Sequence, residues 1–272
     1  MYKLIALDMD GTLLREDKTI SRETYKAIQR AKNKGVKVVL ATGRPVDGIK
    51  RYLQELNLLN DNDYAIAYNG ALVQNTKTKD IVAQTLMSLE DIDYLYKLSQ
   101  ELNVNIHALT DHTCITPKWS KYSQVEADIN DIPLEFVDFN NLNKNTTIVK
   151  IMFIDEPNHL TEVISKLPKE VYEKYSVLRS APYFLEFLDK RVNKGYGVEL
   201  LADKLGIKRE EVICIGDAGN DLHMIKFAGL GVAMGNAFPE VKEAADYITL
   251  TNEEHGVAHV IDKFILEENE AC

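Results

Sequence analysis

Short apolar runs that end in polar residues recur along the 272-residue chain. Leu4 to Leu7 ends in Asp8, and Val36 to Ala41 ends at Thr42-Gly43-Arg44. Tyr64 to Tyr68 ends at Asn69-Gly70. Apolar runs this short, without alternation, predict buried parallel strands with their polar ends gathered on one side. Between the first two lies Ser21 to Lys34, where Tyr25, Ile28 and Ala31 recur at helical spacing and Gly35 follows as a stop. Pro45 suits the first turn of a further helix reaching to about Leu56. The repeated strand–turn–helix order predicts a parallel α/β sheet.

The pattern changes from about residue 83 to 188. Helical patterns near 89–102 and 157–167 alternate with strand-like runs, Ile148 to Ile154 and Phe184 to Leu188, while 138–146 reads as loop. This segment is expected to be an α+β insertion folded back over the first domain. Beyond it the first pattern returns. Tyr196 to Leu205 reads as a helix stopped by Gly206, and Glu211 to Ile215 as a strand ending at Gly216-Asp217. Asp221 to Ala228 reads as a helix, Leu230 to Met234 as a strand, Glu240 to Ala245 as a helix and Tyr247 to Leu250 as a last short strand. The expected division is therefore a core in two parts, 1–82 and 189–272, interrupted by an inserted domain, 83–188. Ligands of open α/β sheets bind beyond the carboxyl ends of the strands, which is where these polar residues fall.

Composition narrows the function classes. The chain carries a formal net charge of −10 and no dense Lys/Arg block. Nucleic acid and anionic membranes are therefore poor partners. The 3 cysteines, Cys114, Cys214 and Cys272, are scattered, which argues against a disulfide framework and a structural zinc site. No apolar stretch is long enough to span a bilayer, and the N-terminal apolar run is too short for a signal peptide. The expected location is the cytoplasm.

The candidate chemistry lies in carboxylates at strand ends. Asp8 and Asp10 stand two apart, so in an extended segment both side chains would face one site. Asp217 and Asp221 bracket a second strand-to-helix turn that contains Gly219 and Asn220. Taken singly, Asp–Gly pairs mark turns and Asp caps helices. Together, converging carboxylates would repel and raise one another's proton affinity unless a hard cation joined them, and magnesium suits oxygen ligands of this kind.

With these motifs in order, the chain resembles the haloacid-dehalogenase-like (HAD) hydrolase superfamily and, within it, the Cof-type sugar-phosphatase-like branch. The motifs are Asp8-Met9-Asp10-Gly11-Thr12, Thr42 in ATGR, Lys194 in NKG, and Gly216 to Asp221 in GDAGND. Asn69 to Ala71 (NGA) and the large insertion also match that branch, and the resemblance spans essentially the whole chain. It implies an α/β HAD-like Rossmannoid parallel-sheet core with an inserted α+β cap of the C2 kind. It implies Asp8 as the nucleophile that forms an aspartyl-phosphate and Asp10 as general acid and then general base. Thr42 and Lys194 would contact the phosphoryl group. Mg2+ would be held by Asp8, the backbone carbonyl of Asp10 and Asp217, with Asn220 and Asp221 supporting that shell. Gly43, Arg44 and Asn69 are further candidates for substrate binding.

The expected activity is Mg2+-dependent hydrolysis of a small phosphorylated metabolite, a sugar phosphate first. A phosphatase for pyridoxal 5′-phosphate or flavin mononucleotide is the enzymatic alternative, and a non-catalytic metabolite-binding protein is the other. His107, His112, Lys118, Trp119, Lys121 and Tyr122 are candidate cap contacts, each also readable as a surface or packing residue. His223 reads as a helix or rim residue. A monomer or homodimer is expected.

Overall fold

The computed structural model describes residues 1–110 and 112–266. Residues 267–272, with Cys272, lie outside the described residues. The chain divides into two compact units. One comprises Met1–Val46, Lys50–Ala83 and the segment from Asn193 on; the other comprises Gln84–Val192 together with Asp47–Ile49.

The first unit is built on an eight-stranded sheet. Its order is Tyr247–Ile248, Leu230–Ala233, Val212–Gly216, Leu4–Leu7, Lys37–Ala41, Tyr64–Ala67, Leu72–Asn75 and Ile81–Gln84. The pairings from Tyr247–Ile248 through Tyr64–Ala67 are all parallel, and Leu72–Asn75 then turns antiparallel. Leu4–Leu7 lies at the centre and is wholly buried, so it has no polar face and reads as a continuous apolar run. Its neighbours are Val212–Gly216 on one side and Lys37–Ala41 on the other. Chain order reverses at this point, which opens a crevice at the carboxyl edge.

The helices follow their local signals. Arg22–Asn33 starts after Ser21, whose side chain accepts from the Thr24 amide, and it buries Thr24, Ala27, Ile28 and Ala31. Lys194–Leu205 starts after Asn193, which caps the Tyr196 amide, and ends at Gly206 in the left-handed region. This helix begins two residues before the expected Tyr196, because Asn193 supplies the cap. The helix expected from Pro45 forms only as a short turn, Asp47–Ile49, and the helix Lys50–Glu55. The Asp47-Gly48 pair disfavours an earlier start.

The second unit has a six-stranded sheet in the order Tyr175–Ala181, Phe184–Asp189, Lys150–Ile154, Asn105–Leu109, Cys114–Thr116 and Leu134–Phe136. The pairings are antiparallel except the last. Apolar residues of Leu89–Glu101 and Pro157–Lys166 pack with Ile106, Ile151, Phe153, Leu185 and Phe187 to form its core. Two helices absent from the sequence reading also lie here, Lys121–Asn130 and Lys169–Lys174.

Candidate active site

Four strand ends bring a polar residue to the carboxyl edge of the first unit's sheet: Asp8, Thr42, Asn69 and Asp217. The Asp8 amide donates to the Ile215 carbonyl (3.0 Å), which continues the central pairing one residue past the strand. The Thr42 amide donates to the Ile66 carbonyl and the Asn69 amide to the Thr42 carbonyl (each 2.9 Å), so the next two strand ends are locked together. Asp217 follows Val212–Gly216.

Lys194 is 0 % exposed and lies between two carboxylates. Its Nζ donates to Asp8 Oδ1 and to Asp221 Oδ1, the latter at 2.6 Å. Asp221 Oδ2 accepts from the amides of Asp217 and Ala218 (both 3.0 Å). Both oxygens of Asp221 are thus engaged, and they fix Lys194 on one side and the 217–218 turn on the other. A cation in the first turn of a helix opposes the helix dipole, and the paired carboxylates offset that cost. The helix approaches closely enough because residue 70 is glycine: at φ +100°, a Cβ there would stand 2.1 Å from the Asn193 carbonyl oxygen.

Asp8, Asp217 and Asp221 form a group whose ligand oxygens lie within 4.8 Å of one another. Asp217 Oδ1 accepts from Thr12 Oγ1 (2.7 Å). Burial pushes the Asp8 carboxyl up to about 8, with Asp221 and Asp217 adding to the rise and Lys194 opposing it. Burial likewise raises Asp217, with Asp221 adding to the rise and the Thr12 hydroxyl opposing it. Three carboxylates against one ammonium leave excess buried negative charge. An oxygen-ligated divalent cation relieves this imbalance, so the donor set fits Mg2+.

Asp10 does not share that orientation. The strand ends at Leu7, and the Leu13 amide returns to the Asp8 carbonyl (3.2 Å), so alternation does not extend past Asp8. The Asp10 carboxylate instead accepts from Lys18 Nζ and Arg44 Nη2, each at 2.7 Å. Burial would raise its pKa, but these two cations outweigh burial and hold it below the usual range. Neither partnership was legible at the sequence level. The Thr42 hydroxyl accepts from the Arg44 amide (3.2 Å), which leaves its own proton available. Asn220 Nδ2 donates to Asn69 Oδ1 (3.1 Å). A Cβ on Gly43 would stand 3.2 Å from the Asn69 side chain, so these residues form one rim.

A family model described as haloacid dehalogenase-like hydrolase matches residues 5–261. The chain belongs to the haloacid dehalogenase-like hydrolase family. It is 49% identical over 268 residues to the putative phosphatase YxeH of Bacillus subtilis, covering 98% of this chain and 99% of that protein. It is 35% identical to the 5-amino-6-(5-phospho-D-ribitylamino)uracil phosphatase YcsE of the same organism, covering 97% and 96% respectively. The crystal structure of a haloacid dehalogenase-like hydrolase from Bacteroides thetaiotaomicron superposes with a TM-score of 0.84 at 37% identity, covering 97% of this chain and 100% of that one. With its carboxylate cluster on the HAD fold, the protein is a Mg2+-dependent phosphohydrolase that acts through an aspartate nucleophile. The idle-binder alternative is set aside on the same grounds.

The candidate cap residues have other partners within the second unit. His107 is buried, with Nδ1 3.3 Å from Ser123 Oγ and Nε2 3.1 Å from Met152 Sδ. Burial, aided by the Lys150 charge, pushes it down to about 3, so it is a neutral packing residue. Lys121 and Tyr122 both bond Glu156, and the Tyr122 ring stacks on Tyr183. The His112 amide donates to Thr110 Oγ1 (3.3 Å), and the Lys118 carbonyl accepts from Thr116 Oγ1 (2.8 Å). Trp119 is 62% exposed. His223 is exposed on the helix Leu222–Phe227, as expected of a rim residue. A buried ion cluster went unread in the sequence: Lys150 Nζ donates to Glu186 Oε1 (3.0 Å) and lies 3.5 Å from Glu126 Oε1. The signal for it was a charge interrupting each of two apolar strands, IVKIMFI and FLEFL.

Proposed function

We propose that the protein hydrolyses the phosphomonoester of a small polyhydroxylated metabolite, a sugar or polyol phosphate, through a phosphorylated Asp8. The observation that carries this reading is the buried set of Asp8, Lys194, Asp217 and Asp221 at the switch point of the sheet. Asp8 attacks phosphorus and the leaving alcohol departs on the far side. Lys194 orients the attacking carboxylate and neutralises charge on the phosphoryl oxygens, and the free Thr42 hydroxyl proton donates to one of them. Amides of the 9–11 turn and of Gly43 can serve the same oxygens. Asp8, the Asp10 carbonyl and Asp217 would hold Mg2+, which supplies charge to offset repulsion between carboxylate and phosphate dianion. Asn220 and Asp221 brace that set, Asp221 through its bonds to Lys194 and to the 217–218 amides.

Asp10 protonates the leaving oxygen and then takes a proton from the water that cleaves the acyl phosphate. In the resting arrangement Lys18 and Arg44 hold it ionised, so proton donation requires those two bonds to be exchanged. Arg44 and Asn69 are then placed to meet the substrate rim. The second unit, Gln84–Val192, would serve as the cap that selects the leaving group. YcsE is named for a substrate that carries its phosphate on a ribityl chain with an attached ring. That chemistry lies between a sugar phosphate and flavin mononucleotide, so both remain within the proposed class. A cytoplasmic location, consistent with the free buried thiols of Cys114 and Cys214, and a monomeric or dimeric state complete the proposal.

The test is phosphate release from hexose, pentose and polyol phosphates, 5-amino-6-(5-phospho-D-ribitylamino)uracil, pyridoxal 5′-phosphate and flavin mononucleotide, with Mg2+ and with EDTA. Mg2+-dependent release led by a sugar or polyol phosphate supports the reading. Release confined to pyridoxal 5′-phosphate overturns the substrate class.

A further inference from the structure

A segment remote in sequence grips the catalytic turn. Asn236 Nδ2 donates to the Gly11 carbonyl (2.8 Å), and Asn252 Nδ2 donates to the Leu14 carbonyl (2.9 Å). The Asn252 backbone amide donates to Asn236 Oδ1 (3.0 Å), which fixes the Asn236 amide with its NH2 toward Gly11. The next residue, Glu253, accepts from the Glu16 amide (2.8 Å) and from Arg15 Nε (3.0 Å). These contacts join the strand-end loops after Leu230–Ala233 and Tyr247–Ile248 to the turn that follows the central strand.

The opposite side of the turn has no slack. Gly11 adopts φ +86°, and a Cβ there would stand 2.5 Å from Asp217 Oδ2. Thr12 Oγ1 bonds the other oxygen of the same carboxylate (2.7 Å). The Gly11–Thr12 peptide, next to Asp10 in the chain, is therefore held by Asn236 at the Gly11 carbonyl and by Asp217 at the Thr12 hydroxyl. Any drift of the Gly11 carbonyl moves both the acid–base residue and a carboxylate of the metal cluster.

We propose that Asn236 and Asn252 are positioning residues for phosphoryl transfer: touching neither phosphate nor metal, they set the Asp10–Leu14 turn against Asp217. The inference rests on the phosphatase reading above. It predicts a loss in turnover with little loss in substrate binding, because Thr42 and Lys194 are untouched.

Asn236→Asp is the sharpest probe. It is isosteric and keeps the acceptor for the Asn252 amide, but it sets a carboxylate against the Gly11 carbonyl. With saturating Mg2+ and the best substrate from the panel, kcat should fall by about tenfold to a hundredfold, the scale for misplacing a reacting group by roughly 1 Å. KM should stay within about twofold of wild type. Asn252→Ala should act in the same direction with a smaller fall. Active-site titration by the phosphoenzyme burst separates positioning from folding. If kcat per titrated site is unchanged while the thermal midpoint drops, the role is only structural and the inference is overturned. It is also overturned if KM rises with kcat intact. In both cases an active wild type leaves the phosphatase reading standing, whereas a wild type with no turnover on the panel overturns the two together.

Discussion

Replacing Asp8 by Asn separates the electrostatics of the site from its chemistry. The Asp8 carboxyl is buried, faces Asp221 and Asp217, and has the Lys194 ammonium against it. Burial raises its pKa from 3.8 to about 8. A carboxyl raised on folding favours the folded state below its unfolded pKa, and that contribution is lost as pH climbs toward the folded value. The metal-free wild type should therefore lose stability between about pH 4 and pH 8 from this group alone. At pH 7 the loss amounts to ~4 kcal/mol, from roughly three pH units above the unfolded pKa at about 1.4 kcal/mol each. This is an upper bound, because rearrangement and water entry relieve part of it.

Asn keeps the shape and binds no proton in this range. In EDTA, Asp8→Asn should unfold at higher urea than wild type at pH 7, and its advantage should grow by ~1 kcal/mol for each pH unit between 5 and 7. Adding Mg2+ should stabilise wild type strongly and the variant weakly, since the variant has lost a ligand. Phosphate release by the variant should be absent. Parallel stability–pH curves for the two metal-free proteins would refute the crowding argument and show Asp8 ionised against Lys194 throughout. Turnover by the variant would refute the aspartyl-phosphate.

Lys194→Met should lower kcat by at least about a hundredfold. It should also cost about 3–5 kcal/mol in urea unfolding near neutral pH, because Asp8 and Asp221 lose their buried cation. Gly11→Ala should fold, as judged by circular dichroism, yet lose turnover and need more Mg2+ for half-maximal rate, because its Cβ meets the Asp217 carboxylate. Lys18→Met and Arg44→Met each remove a cation that holds Asp10 below its usual range. The limb of the pH–rate profile that reports Asp10 should therefore move to higher pH in each, and a profile unchanged in both would show that Asp10 does not set it.

The chain's patterning exposed those parts of the fold in which one physical demand dominates. Central parallel strands are buried on both faces, so Leu4–Leu7 and Val212–Gly216 read as plain apolar runs, and their ends located Asp8 and Asp217 directly. Reading failed where burial and polarity part company. The helix Lys121–Asn130 buries Ser123, Glu126 and Asn130 while Ile129 is 55% exposed, so its apolar period points to the wrong face. It can do so because Lys150 and Glu186 already place charge inside the neighbouring sheet, and Glu126 is buried to meet Lys150. A different reason hid the partners of Asp10, whose bonds to it are exposed. A motif names the residues that react, but Lys18, Arg44, Asn236 and Asn252 act on the turn through single hydrogen bonds from 8 to 238 positions away, and no periodicity records such a bond. The legible part of the site is thus what the sheet imposes, and the illegible part is what holds the turn in place once the strand has ended. If the Asn236 and Asn252 variants lose turnover as expected, the second part sets the rate as much as the first.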